Sequence, residues 1–71
     1  MEIRQWYARD KNGDVYLYPT KPYKHGNFWI AERMSFMYIP DNKLPEGINP
    51  QWEDEEPVEL KVIIEPIKKH D

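Results

Sequence analysis

The chain has 71 residues, no cysteine and a formal net charge of −3 at pH 7. That length supports one domain near the lower limit for independent folding, and the missing thiols exclude disulfides and thiolate zinc sites. No apolar run reaches the 18 residues that a membrane-crossing helix needs, and the acidic balance lies far from the strongly basic domains that bind nucleic acid.

In chain order, Ile3 to Arg9 reads as a strand and Val15 to Tyr18 as its partner, joined through Asn12-Gly13. Asn-Gly between apolar segments is a strong hairpin signal because both residues tolerate positive φ. Two registers are open. A two-residue type I′ turn sets Ala8 against Leu17, Tyr7 against Tyr18 and Arg9 against Tyr16. Trp6, Ala8, Val15 and Leu17 then form a core face, and Tyr7, Arg9, Tyr16 and Tyr18 an amphipathic one. A three-residue loop, Lys11-Asn12-Gly13 with Gly13 left-handed in a bulge, instead puts Trp6 and Ala8 with Tyr16 and Tyr18. The first is the expectation, because it separates aliphatic from amphipathic residues more cleanly.

Pro19 and Pro22 forbid a regular central strand between them, and Lys24-His25-Gly26-Asn27 reads as a second turn. Phe28 to Glu32 and Ser35 to Ile39 follow as strands, connected by Glu32-Arg33-Met34. A helix from Asn27 to Met37 is the rival, since Ile30, Met34 and Met37 lie at helical spacing. The density of aromatic residues favours strands. Pro40, Pro45, Pro50 and Pro57 exclude long regular structure over residues 40 to 57. Leu44, Ile48 and Trp52 anchor that stretch as an ordered loop, with room for a 3₁₀ turn near Leu44 to Gly47. Val58 to Ile64 alternates as a final strand. The expectation is therefore an all-β domain over residues 1–66, followed by a disordered tail at 67–71. Its architecture is a small antiparallel meander of five short strands that curls toward a partly open barrel.

Candidates for chemistry are few. Ser35 and Thr20 are the only hydroxyl nucleophiles of their types, and His25 and His70 fall in a turn and in the tail. A Ser–His–acid arrangement needs the base within hydrogen-bond reach of the nucleophile, so no enzyme is expected. Glu53-Asp54-Glu55-Glu56 lacks the alternating ligands and turn glycine of a calcium loop, so neither a metal nor another cofactor is expected. Beside Trp52, those four carboxylates form a candidate protein-binding surface, a ring rimmed by charge. The alternative is that Trp52 belongs to the core and pins the long loop. Tyr7, Arg9, Tyr16 and Tyr18 form a second candidate, a stacking face for single-stranded nucleic acid. The alternating last strand offers a third, pairing with its counterpart in a homodimer. Residues 1–36 carry +2 and residues 37–71 carry −5, which suits complementary surfaces of one domain.

Three segments carry a resemblance. Tyr7-Ala8-Arg9-Asp10-Lys11-Asn12-Gly13, then Tyr16-Leu17-Tyr18 with Lys21-Pro22 and Trp29, and finally Trp52-Glu53-Asp54-Glu55-Glu56-Pro57-Val58-Glu59-Leu60 are similar to a group of short uncharacterised proteins. Members are common in gut Bacteroidales genomes and in their phages and mobile elements. The likeness spans residues 6 to 64, with Trp-Glu-Asp-x-Glu-Pro its most specific part; Ala31 to Phe36 and Pro-Glu-Gly-Ile-Asn-Pro fit less well. It transfers no activity and no site residue. What it implies is context, a small cytoplasmic accessory or phage-associated protein. Together these features suggest a non-catalytic protein-interaction module.

Overall fold

Asp10 and Asp14 close the first hairpin around a three-residue turn in a computed structural model that describes residues 1–33 and 35–67. The Asp10 N–H donates to the Asp14 carbonyl at 2.8 Å, and the Gly13 N–H donates to the Asp10 carbonyl at 2.9 Å. Gly13 takes φ of +99°, the left-handed backbone that ends such a loop. The Asn12 side chain accepts the Asp14 N–H at 2.9 Å and fixes the bend. Strand β1 (Glu2–Arg9) therefore pairs with β2 (Val15–Tyr18) as Trp6 with Tyr18, Tyr7 with Leu17, Ala8 with Tyr16 and Arg9 with Val15. This is the three-residue register, and it overturns the expected two-residue one. The one-residue slip moves Tyr16 and Tyr18 onto the face of Trp6 and Ala8, and sends Val15 and Leu17 to the face of Tyr7 and Arg9.

The second turn also closes a hairpin. Strand β3 (Tyr23–His25) pairs with β4 (Phe28–Ile30) across Gly26-Asn27. Gly26 has φ of +63° while no non-glycine residue among the described residues has positive φ, the pattern of a type II′ turn. No helix forms over residues 27–33 or 35–37. Beyond them β5 (Met37–Ile39) pairs with β2, and β6 (Val58–Ile63) pairs with β1. The fold is all-β, an open four-stranded antiparallel sheet in the order β5-β2-β1-β6 beside the two-stranded β3-β4 sheet. It does not close into a barrel. The 3₁₀ turn lies at Asp41–Lys43, just before the expected place, because Pro40 starts it and the Lys43 N–H reaches the Pro40 carbonyl at 2.8 Å.

The core lies where the small hairpin meets the large sheet. Ala8 and Tyr18 pack with Trp29 and Ala31, and half-buried Trp6, Tyr16 and Trp52 close around them. On the opposite face Tyr7 and Val15 are buried against a mostly aliphatic surface that includes Leu17, Val58 and Leu60. The Arg9 side chain ties the long loop to this face. Its Nε donates to the Pro50 carbonyl at 2.7 Å, one terminal nitrogen donates to the Gly13 carbonyl at 2.7 Å, and the other lies 3.0 Å from the Asp41 carboxylate. Of the expected tail 67–71, residues 68–71 lie outside the described residues, as does Met34 of the expected connection.

Candidate functional site

Trp29 stands opposite Lys24 in β4, one step from the pair His25–Phe28 that closes the turn. In that alternation its backbone N–H and C=O point away from β3. Two side chains of the large sheet meet them. The Asp10 carboxylate accepts the Trp29 N–H at 2.8 Å, and the Tyr18 hydroxyl donates to the Trp29 carbonyl at 3.1 Å. The indole Nε1 of Trp29 donates to the Arg9 carbonyl at 3.0 Å, and the Lys11 N–H donates to the Asn27 carbonyl at 3.1 Å. Side chains thus do for the hairpin what a neighbouring strand does in a sheet.

Between the two sheets lies a cavity of about 240 Å³. Tyr16 and Tyr18 of β2, Phe28, Trp29 and Ile30 of β4, and then Ala31 and Phe36 form its apolar wall, with Asp10 and Asn12 on the polar side. Phe36 meets Tyr16 edge-on, with ring centroids 5.3 Å apart, and lies 5.8 Å from Tyr18. Phe28 and Phe36 remain 51% and 47% exposed, whereas Asp10 is only 5% exposed.

Burial raises the Asp10 pKa above its ordinary 3.8; the Trp29 N–H partly offsets this and Asp14 adds to it. Burial, with Asp10 and Tyr16 nearby, pushes the Tyr18 phenol far above its usual range. The Tyr16 phenol is also raised, by burial and then by Asp14 and Asp10. Neither hydroxyl ionises near neutral pH. The site holds one carboxylate in a low-dielectric setting among neutral rings.

The candidates from the sequence fall elsewhere or in part here. Tyr7, Arg9, Tyr16 and Tyr18 do not share a face: the register divides them into Tyr7 with Arg9 and Tyr16 with Tyr18. Tyr7 and Tyr18 are buried, and the Arg9 guanidinium is engaged by the long loop. Trp52 is half-buried against the core, with Lys24 Nζ 4.4 Å from its ring centroid. Asp54 accepts the Gln51 N–H at 2.9 Å and holds a turn, and Glu56 lies 3.2 Å from Lys21. Glu53 and Glu55 are exposed. Asp10, Phe28, Trp29 and Phe36 carry the cavity without having been candidates. The signal for Asp10 was an acid two residues before Asn-Gly, which usually signifies a solvated turn.

Fold and cavity define a small all-β domain with an aromatic-walled recess. No family model matches the chain, and no curated protein and no solved structure matches it. Among the described residues, no helix is long and apolar enough to cross a membrane, and no group of three or more His, Cys, Asp or Glu side chains is placed to hold a metal ion.

Proposed function

We propose that this chain is a non-catalytic binding module that engages a protein partner through the recess between its two sheets. The observation that carries this is the pair of half-exposed rings, Phe28 and Phe36, beside a recess containing a buried carboxylate. Aromatic anchors at a desolvated pocket are the usual anatomy of an energetic hot spot. The titratable groups of the wall also suit binding: both phenols are held in their neutral form, and Asp10 has its Oδ1 committed to Trp29. A cytoplasmic accessory role in a phage or mobile-element setting belongs to the same proposal and rests on the resemblance alone. The exposed Glu53 and Glu55, with Trp52, are a secondary contact within it.

Selection of a peptide-display library on the full chain tests the proposal. Peptides that bind the native chain should lose at least tenfold in affinity against Phe28→Ala and Phe36→Ala, and little against a Glu53→Lys/Glu55→Lys variant. Peptides indifferent to both rings would place the surface elsewhere.

A homodimer through β6 is a second reading, favoured by its edge. Met1 and Ile64 exchange backbone hydrogen bonds of 3.0 and 2.7 Å, so Glu59, Lys61 and Ile63 turn their backbone groups outward. Antiparallel self-pairing about Leu60 sets Glu59 against Lys61 twice and Val58 against Val62, a self-complementary register. Light scattering should then show a dimer that Lys61→Glu weakens. A monomer at high concentration would remove it.

A further inference from the structure

We infer that the recess between the sheets is a cage for an alkylated ammonium, the trimethylated side chain of a lysine in a partner protein. The inference rests on the binding function proposed above and names its ligand. Tyr16, Tyr18, Phe28 and Phe36 line a recess of about 240 Å³. That is below the roughly 300–1,000 Å³ of pockets for drug-sized ligands and suits one side chain. Aromatic quadrupoles attract a cation placed over them, and more strongly once water is removed.

Asp10 supplies the charge. It is 5% exposed, with Oδ1 committed to the Trp29 N–H, and no donor among the described residues engages Oδ2. Oδ2 is not occluded, so a cation in the recess can reach it and pair with the carboxylate. The fold already uses the same chemistry nearby. Lys24 Nζ lies 5.3 Å from the Trp29 ring centroid and 4.4 Å from that of Trp52, on residues of which only Trp29 also lines the recess.

The choice of an alkylated over a bare ammonium follows from the apolar wall. A lysine ammonium brings three N–H donors that would lose water against the rings, Ile30 and Ala31. Methyl groups in place of those hydrogens remove that demand and fit the wall. A polypeptide is favoured over a choline lipid because the chain is net acidic and residues 37–71 carry −5, a balance that an anionic membrane surface repels.

The test is a titration of the full-length chain by calorimetry and by ¹⁵N NMR, following the backbone and indole N–H of Trp29. Four probes are used: a short peptide with trimethyl-lysine, the same peptide with lysine, the same peptide with a neutral tert-butyl isostere, and phosphatidylcholine vesicles. The expected result is binding of the trimethyl-lysine peptide, with the neutral isostere weaker by about tenfold, the order of one desolvated cation–π interaction. Phe36→Ala and Asp10→Asn should each weaken it several-fold while the amide shifts of β6, which does not line the recess, stay native. Equal binding of cation and isostere overturns the cage and leaves a merely apolar recess. Ring-dependent display peptides alongside a silent trimethyl-lysine peptide overturn the cage but keep the binding function. Silence of every probe and of the display selection overturns both. Vesicle binding without peptide binding replaces the partner lysine with a membrane.

Discussion

The Asp10 carboxylate accepts the backbone N–H of Trp29 at 2.8 Å, across nineteen residues of chain. This bond docks the small hairpin on the large sheet, and it uses an acid where a neutral acceptor serves equally well. Asp10→Asn should therefore leave the urea midpoint at pH 7 unchanged or higher. Asp10→Ala, which strands the Trp29 N–H, should lose about 1–3 kcal/mol. Equal losses in both variants would show that the charge itself stabilises the fold.

The same carboxylate gives a pH signature with a definite sign. Its folded-state pKa lies above 3.8, so the folded chain binds the proton more tightly than the unfolded chain. Stability from this group is greatest at low pH and falls as pH rises from 3.8 through the raised value, then stays level. Against Asp10→Asn, the native chain should be relatively more stable near pH 3 than at pH 7. Denaturant melts of both proteins across that range check it, and a gap of opposite sign would contradict the raised pKa.

Arg9 binds the long loop through carbonyls of Pro50 and Gly13 and the carboxylate of Asp41. A lysine has one nitrogen and cannot reproduce that fork. Both Arg9→Lys and Arg9→Ala should cost about 1.5–3 kcal/mol, and hydrogen exchange should speed up first around residues 41–50. Full retention of stability in Arg9→Lys would show that charge alone suffices.

Register is open to direct measurement. Tyr7 with Leu17 and Arg9 with Val15 are the close, non-hydrogen-bonded pairs of the β1–β2 ladder. Strong Hα–Hα cross-peaks are expected at both. Gly13→Ala, at φ of +99° with open space around the Cβ, isolates the backbone contribution of the turn. It should cost about 1–2 kcal/mol.

Asn-Gly announced the first hairpin, and the alternation of Val58 to Ile64 announced the last strand. The register was not legible, because the rule of keeping aliphatic residues together fails when tyrosines build the core. Tyr18 is buried since Trp29 arrives over it from a second sheet, and nothing local in Val15 to Tyr18 says so. Lys24 and His25 of strand β3 were read as part of the turn, because Gly26-Asn27 follows them and Tyr23, Lys24 and His25 show no apolar period. Asp10 has the same explanation from the other side: its partner is a backbone group, which no side-chain pattern encodes. Trp52, set down as either core or contact, is half-buried and packs against the core.

Strand β1 lies between a near neighbour and a distant one. Tyr7 meets Leu17 ten residues on, but it meets Val58 fifty-one residues on. Closing the longer loop carries about 1.4 kcal/mol more entropy than closing the shorter, and hairpins zip in roughly 1–10 μs. The two halves of one sheet therefore form on separate clocks. A β1–β2 ribbon, its aromatic and aliphatic faces both still uncovered, is expected to come first, with the arrival of residues 58–63 the slower step.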